Sequence, residues 1–255
     1  METDSDRREE GWLKLPLRMG GPASDDELDP VKPSALVALY ERLFEGIRNS
    51  SFVLFELGIK DGDSLVMWRD AFPHATVVGL DLEPPEIELG ERVHMWKGAQ
   101  TDCALIGEIR EAHAPGGFDI VIDDASHLGA ETAASLRCIF NSHLRASGTY
   151  VIEDWFTGYT DWWSDGRNSD PEAFSSAGIG RTRFSLGKGT RFPSHDFGLP
   201  GVIKQLIDQM AAPQVPWFAG GERKEELEIS SFEIEKGAVM LRKSAESHPE
   251  PRLEG

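Results

Sequence analysis

The sequence predicts an α/β protein with a doubly wound, Rossmann-like and mostly parallel sheet of seven strands. Short apolar runs alternate with helical segments, several of these runs end in Gly or Asp, and the last two β segments form a hairpin. A long insertion at about 155–198 mixes Trp, Phe, Gly, Asp and Arg without a period, and we interpret it as a lid. The predicted organisation is an N-terminal extension (1–33), one folded domain (34–245) and a C-terminal tail (246–255).

The spacing of apolar residues predicts each element. Helices are expected over 34–49, which starts at the N-cap candidate Ser34, and over 64–72, 104–113, 130–146 and 199–210. Buried strands are expected over 52–57, 75–82, 91–98, 118–124 and 149–155. The segment 229–243 is typical of an antiparallel hairpin that turns near Lys236 and Gly237.

Composition excludes several classes of function. The chain has 44 acidic and 26 basic residues, a net charge of −18, so it lacks the basic excess that binding to nucleic acid or to an anionic membrane needs. No run of eighteen apolar residues predicts a transmembrane helix, and the polar, acidic start METDSDRREEG is unlike a signal peptide. These features favour a protein without nucleic-acid or membrane partners.

The chain contains two cysteines, Cys103 and Cys138. Two cysteines do not form a disulfide framework, and neither lies in a Cys-x-x-Cys motif. We interpret both as structural thiols and predict a reducing, cytoplasmic location.

The loop after the first predicted strand carries Gly58 and Gly62, which permit a tight turn and a close approach of ligand to backbone. It does not match G-x-G-x-x-G, so a pyrophosphate-binding cradle is poorly supported and a cofactor without phosphates fits better. Asp81 ends the second strand, where an acid can accept hydrogen bonds from ribose hydroxyls. Strand ends also carry Gly or Asp simply to turn, so each signal is weak alone and stronger as a pair.

Carboxylates cluster at the ends of two further strands. Asp123 and Asp124 follow the fourth strand, and Glu153 and Asp154 follow the fifth. Like charges at neighbouring strand ends repel, and a hard divalent cation such as Mg²⁺ resolves the conflict. His127, three residues beyond Asp124, is a candidate general base. The alternative is that the aspartates cap the following helix or turn and that His127 is an ordinary loop residue.

Four segments at these positions resemble the class I S-adenosylmethionine-dependent methyltransferases: FELGIKDGDSLVMWRDAFPHATVVGLDL, GAQTD, FDIVIDDASH and GTYVIEDWFTGY. The chain looks most like metal-dependent sugar O-methyltransferases of the mycinamicin and macrocin type and of mycobacterial methylmannose polysaccharide synthesis. Two residues depart from the family pattern, since Lys60 replaces a small residue and Ala125 a common glycine.

The resemblance implies a role for each matching residue. S-adenosylmethionine would contact Glu56, Gly58, Ser64, Asp81, Gln100, Asp102 and Asp123. Asp124, Glu153 and Asp154 would bind Mg²⁺, and His127 would remove the proton from a sugar hydroxyl. Aromatic residues of the insertion would pack against the sugar or simply fill the core: Trp155, Tyr159, Trp162 and Trp163.

Three other functions are compatible with the sequence. A catechol-type O-methyltransferase would use the same metal and carboxylates on an aromatic diol. An NAD-dependent oxidoreductase would need the pyrophosphate-binding glycine pattern, and a degenerate binding module would not bind S-adenosylmethionine. A homodimer is the expected assembly, by family resemblance.

Overall fold

The structure, a computed structural model, describes residues 13, 34–160, 163–168, 197–211 and 227–245 of the 255-residue chain. The strands are β1 (Val53–Leu57), β2 (Thr76–Asp81), β3 (Val93–Lys97), β4 (Phe118–Asp123), β5 (Leu144–Glu153), β6 (Ile229–Ile234) and β7 (Ala238–Lys243). The helices are α1 (Ser34–Phe44), α2 (Asp63–Ala71), α3 (Cys103–His113), α4 (Gly129–Ser142), α5 (Ser164–Asn168) and α6 (Gly198–Ala211). Two 3-10 turns cover Glu45–Ile47 and Trp155–Tyr159.

The predicted sheet is confirmed. Its strand order is β3-β2-β1-β4-β5-β7-β6, with β1 to β5 parallel and β7 antiparallel to both of its neighbours. The chain winds outward from β1 to β3 and then returns to add β4 beside β1, so strand order reverses between β1 and β4. In open α/β sheets this switch point opens a crevice at the carboxyl ends of the strands.

Helices cover both faces of the sheet. Consecutive residues of a strand point to opposite sides, so each buried strand contributes to both cores. Leu54 of β1 belongs to the core that α1 and α2 cover, whereas Phe55 belongs to the core that α3, α4 and α6 cover. Leu13, from the predicted extension, is buried in the first core, and its amide donates to Glu41. None of the described helices has the length and apolarity needed to cross a membrane.

The boundary between α4 and β5 differs from the prediction. The helix expected over 130–146 ends at Ser142, and β5 begins at Leu144, five residues before the predicted strand. Leu144 is 2% exposed and belongs to the core, and the Nζ of Lys243 donates to the carbonyls of Asn141 and Leu144. Tertiary contacts therefore end the helix earlier than its own apolar pattern indicates.

The two cysteines are paired, contrary to the expectation of separate thiols. A disulfide joins Cys103, at the start of α3, to Cys138 on α4, across 35 positions of sequence. Both helices cover the same face of the sheet, which brings the two side chains together. The cytoplasmic location stays a prediction, and its premise of unpaired thiols is wrong in this structure.

Reduction of the Cys103–Cys138 bond is expected to lower the free energy of unfolding by about 2–4 kcal/mol, because the bond restricts the unfolded chain. Urea unfolding with and without dithiothreitol measures the change. The matched control is the double variant Cys103→Ser, Cys138→Ser, which should unfold at the same urea concentration in both conditions. An unfolding midpoint of the unaltered chain that does not respond to reductant would contradict the prediction.

Candidate active site

A cleft of about 690 Å³ lies at the carboxyl ends of the strands, at the switch point between β1 and β4. This volume is in the usual range for a site that takes a cofactor or a drug-sized ligand. Loops after β1, β2, β3 and β4 form the walls, and Trp163 and Glu131 close them. Seven of the predicted site residues line this cleft: Gly58, Ser64, Asp81, Gln100, Asp124, His127 and Trp163.

Gly58 brings the loop after β1 against the loop after β4. Its φ is 83°, and a Cβ at this position would collide with the backbone of Asp124 and Ala125. Lys60 also has a positive φ, 44°, so its departure from the family pattern leaves the left-handed turn in place. The glycine at position 58 is therefore required by close packing as well as by its backbone conformation.

Gly58→Ala is expected to destabilise the chain and to disorder the glycine loop. Gly90→Ala is the matched control, because Gly90 has a nearly equal φ of 85° but no atom within 4 Å of the place that a Cβ would occupy. The free energy of unfolding of the control should fall by about 1–3 kcal/mol from backbone strain alone, and that of Gly58→Ala should fall by more. Urea unfolding of both variants measures the difference. Equal losses would show that the contact with the loop after β4 does not matter.

Asp81 organises the same loop. One of its carboxylate oxygens accepts hydrogen bonds from the amides of Ile59 and Lys60, and the other accepts from the amide of Glu83, all at 2.9 Å. Burial raises the pKa of Asp81, but these backbone hydrogen bonds together lower it below its usual value. The residue is therefore a charged acceptor on the cleft wall, and its contact with a ribose stays a prediction.

Glu56 lies beneath the cleft, with none of its surface exposed. Its Oε2 accepts hydrogen bonds from the Ser64 hydroxyl at 2.8 Å and from the Trp68 indole at 3.1 Å. Ser64 lines the cleft directly. Of this predicted pair, Ser64 is thus placed to touch a ligand, and Glu56 is placed to hold Ser64.

Gln100 and Asp123 form a buried network below the opposite wall. The Gln100 amide nitrogen donates to Asp123, and its oxygen accepts from the amide of Ser126 at 3.0 Å. The hydroxyls of Ser135 and Tyr150 both donate to Asp123 at 2.8 Å. Burial raises the pKa of Asp123, while these hydrogen bonds oppose the rise.

Like Glu56, two further residues predicted to contact the cofactor have structural partners instead of cleft positions. Asp123 is 2% exposed and lies within the network, and Asp102 is exposed and caps α3 by accepting from the amide of Leu105. Their cofactor contacts stay predictions. Gln100 lines the cleft, and its two hydrogen bonds connect Asp123 to the loop at Ser126.

The acidic cluster forms around His127. Ligand atoms of Asp124, His127 and Asp154 lie within 4.8 Å of one another. The Nε2 of His127 is 3.8 Å from a carboxylate oxygen of Asp124 and 3.9 Å from one of Asp154. His127 and Asp154 adopt left-handed backbone conformations, with φ 53° and 50°. Such conformations in residues other than glycine are typical of functional sites.

Glu153, the third predicted metal ligand, is adjacent to this cluster but not part of it. Its carboxylate accepts a hydrogen bond from the Tyr40 hydroxyl at 2.5 Å, and the side chain is almost fully buried. The structure therefore brings Asp124, Asp154 and His127 together and places Glu153 beside them, directed toward α1.

The donor set fits a hard divalent cation. Two carboxylates within reach of one point repel each other, and a cation between them removes that cost. Carboxylate oxygens suit Mg²⁺ better than imidazole does, which leaves His127 available for proton transfer. The metal site and the alternative, that Asp124 and Asp154 only cap neighbouring elements, both stay predictions.

The segment after β5 holds the loop that carries His127. The hydroxyl of Thr157 donates to the carbonyl of His127, and the indole of Trp163 donates to the carbonyl of Ser126. The ring of Trp163 lies 5.4 Å from the His127 ring and lines the cleft. Among the described residues of the insertion, Trp163 is thus positioned to contact a substrate.

The other aromatic predictions have different outcomes. The Trp155 indole donates to the carbonyl of Glu235, and its ring packs edge-on against Tyr159 at 6.2 Å. Both therefore have partners within the fold, and their contact with substrate stays a prediction. Trp162 and most of the predicted lid, residues 169–196, lie outside the described residues.

Asp165 is a structurally important residue that the sequence analysis missed. One of its carboxylate oxygens accepts from the amides of Gly129 and Leu199, at the starts of α4 and α6. A single carboxylate therefore serves two helix N-termini, where negative charge is favourable. No local pattern signals this role, because Gly129 and Leu199 are 36 and 34 positions away.

No family model matches the chain. It is 34% identical to an O-methyltransferase of Streptomyces olivaceus that acts on 8-demethyl-8-(2-methoxy-α-L-rhamnosyl)-tetracenomycin C, over 55% of this chain and 37% of that protein. It is 34% identical to mycinamicin VI 2''-O-methyltransferase of Micromonospora griseorubida, over 66% of this chain and 43% of that protein. The chain thus spans about two fifths of the length of these relatives.

A solved structure supports the same relationship. The MycE methyltransferase of mycinamycin biosynthesis, in complex with Mg, S-adenosylhomocysteine and mycinamycin VI, has a TM-score of 0.59 to this chain at 27% identity. The alignment covers 82% of this chain and 48% of that protein. The resemblance to sugar O-methyltransferases of the mycinamicin type is confirmed by these comparisons, and the resemblance to enzymes of methylmannose polysaccharide synthesis stays a prediction.

Proposed function

Because the chain has the class I S-adenosylmethionine-dependent methyltransferase fold of these relatives, we propose that it transfers a methyl group from S-adenosylmethionine to a sugar hydroxyl, with Mg²⁺ as a required metal. The observation that carries the proposal is the Asp124, His127 and Asp154 cluster at the cleft. The cluster combines a cation site and a base beside a cleft large enough for a cofactor. The named relatives, one acting on a rhamnosyl group, support a sugar acceptor.

The cleft residues would hold S-adenosylmethionine at the switch point. Gly58 lets the cofactor approach the backbone, Ser64 offers a hydroxyl fixed by Glu56, and Asp81 offers a charged acceptor for ribose. Gln100 forms part of the opposite wall. When bound, the cofactor supplies a sulfonium methyl group, which is the electrophile of the reaction.

Asp124 and Asp154 would hold Mg²⁺. Glu153, which is buried beside this cluster and bonded to Tyr40, is the third carboxylate that we propose for the site. When bound, the metal acts as a Lewis acid that lowers the pKa of an acceptor hydroxyl. An acceptor bound at these carboxylates would lie beside His127, because the Nε2 of His127 is within 4 Å of an oxygen of each aspartate.

His127 takes the proton from the acceptor hydroxyl at Nε2. Its carbonyl and that of Ser126 are held by Thr157 and Trp163, so the loop keeps the imidazole at the cluster. The acceptor oxygen would then form a bond to the methyl carbon as the carbon–sulfur bond breaks, and the electron pair of that bond would stay on sulfur, so that S-adenosylhomocysteine leaves. Trp163 offers a flat apolar surface against which the C–H groups of a sugar can pack, and it excludes water from the base.

The test is methyl transfer from radiolabelled S-adenosylmethionine to matched panels of glycosides and catechols, with Mg²⁺ and with EDTA. We expect labelled sugar products, formed in the presence of Mg²⁺ and lost with EDTA. Methylation of catechol alone would overturn the sugar acceptor, and undiminished transfer in EDTA would overturn the metal requirement. Size-exclusion chromatography with light scattering tests the homodimer, which stays a prediction together with the cytoplasmic location.

A further inference from the structure

Tyr40 is a buried phenol on α1 whose ring is fixed by aromatic neighbours. None of its surface is exposed. The ring packs edge-on against Trp68 at a centroid distance of 5.0 Å and stacks on Phe44 at 5.5 Å. Rings packed in this way gain stability from their geometry as well as from burial. The packing of the ring therefore fixes the direction in which the hydroxyl points.

The hydroxyl of Tyr40 donates to the Oε1 of Glu153 at 2.5 Å. Glu153 is 3% exposed, and burial of a carboxylate is costly unless hydrogen bonds or a cation compensate. Hydrogen bonds to charged acceptors are about twice as strong as those between neutral groups. The contact therefore restrains the side chain of Glu153, 113 positions away in sequence.

Hydrogen bonds to β7 and to the turn before it also fix the backbone at Glu153 and Asp154. Glu153 pairs with Ala238 of β7, and the amide of the next residue, Asp154, donates to the carbonyl of Gly237 at 2.7 Å. With the backbone fixed on this side, the remaining freedom of Glu153 lies in its side-chain torsions. The phenol of Tyr40 restricts these torsions by its hydrogen bond to the Oε1 of Glu153.

Burial, followed by the charge of Glu153, raises the pKa of Tyr40 well above its usual value, and the charges of Asp124 and Glu56 add to the effect. The Tyr40 hydroxyl lies in the field of three carboxylates, one of which, Asp124, belongs to the cluster around His127.

We propose that Tyr40 is a positioning residue of the cation site. Its hydroxyl holds the Glu153 carboxylate beside Asp154, where Glu153 would coordinate the cation. The inference deepens the proposed function, because it takes the acidic cluster as a divalent-metal site. Groups that hydrogen-bond to metal ligands fix the orientation of those ligands, and their loss typically weakens metal affinity by about 10–100-fold. Tyr40 thus links α1 to the reaction centre.

The test is calorimetric titration of the metal-free protein with MgCl₂, which needs no turnover. Tyr40→Phe removes one hydroxyl and keeps the ring, and we expect its Mg²⁺ dissociation constant to rise about 10–100-fold. Tyr150→Phe is the matched control, because Tyr150 is also fully buried and also donates to a carboxylate, that of Asp123. The control should lose comparable stability in urea but keep its Mg²⁺ affinity within about twofold of the unaltered chain.

A double-mutant cycle identifies the route of the effect. Tyr40→Phe should cause no further loss of Mg²⁺ affinity in a Glu153→Gln background, because the phenol acts through that carboxylate. Glu153→Asp, which withdraws the carboxylate by one methylene, should weaken Mg²⁺ binding even if Tyr40→Phe fails to fold. Unchanged affinity in Tyr40→Phe, an equal loss in Tyr150→Phe, or additive losses in the cycle would each overturn the inference.

These outcomes differ from failure of the proposed function. Mg²⁺ binding that weakens as expected, in a protein that methylates no sugar, would support the role of Tyr40 and overturn the sugar acceptor. Absence of Mg²⁺ binding by the unaltered chain would overturn both the metal requirement and the inference.

Discussion

Replacement of His127 by alanine is expected to lower kcat by about 10²–10⁴-fold, the usual contribution of a general base. The physical reason is the position of Nε2, within 4 Å of an oxygen of Asp124 and one of Asp154, where a bound hydroxyl would be oriented. Initial rates of methyl transfer at saturating cofactor and acceptor measure the effect. The dissociation constant of S-adenosylhomocysteine should stay within about twofold of the unaltered value.

His74→Ala is the control, because His74 is exposed on the loop between α2 and β2. It removes an imidazole from the surface and should leave kcat unchanged. Retention of more than about a tenth of the unaltered rate by His127→Ala would exclude His127 as the base. A loss of Mg²⁺ affinity in His127→Ala, as large as that of an aspartate variant, would identify the imidazole as a metal ligand instead.

Asp124→Asn is expected to abolish Mg²⁺-dependent turnover, because it removes a charged ligand but keeps the shape of the side chain. We expect the Mg²⁺ concentration for half-maximal rate to rise by at least about 100-fold, since the loss of outer-shell partners alone costs 10–100-fold in metal affinity. Rates measured over a series of Mg²⁺ concentrations, at fixed ionic strength, test this prediction.

Glu111→Gln is the control for loss of negative charge. Glu111 is exposed on α3, so its removal should leave the Mg²⁺ dependence unchanged. An Asp124→Asn variant that keeps the Mg²⁺ dependence of the unaltered chain would contradict the assignment. That result would then favour a capping role for this aspartate.

Much of the fold could be predicted from the sequence, because apolar spacing reports local burial. The runs at 52–57 and 118–124 are strands within one or two residues of their expected bounds, and the hairpin turns at Gly237 as predicted. The start of β5 could not be predicted from local spacing. It depends on the burial of Leu144 and on the contacts of Lys243, which come from another strand.

The candidate site divides in the same way. Gly58, Asp81, Asp124 and Asp154 lie at the carboxyl ends of strands, so their shared edge could be predicted from the parallel sheet. The sequence could not predict which of the carboxylates face the cleft, because adjacent residues at a strand end point to different sides. Asp124 reaches the cluster while its neighbour Asp123 is buried with Tyr150.

The sequence by itself determined the α/β class, the order of the strands along the chain and the residue types at the carboxyl edge of the sheet. The tertiary structure decided which distant side chains meet: Cys103 with Cys138, Asp165 with Gly129 and Leu199, and Tyr40 with Glu153. The physical reason is the sequence separation of the interacting residues. Apolar periodicity is a property of a few consecutive residues, whereas these contacts depend on the order of the strands and on the faces of the sheet that the helices cover.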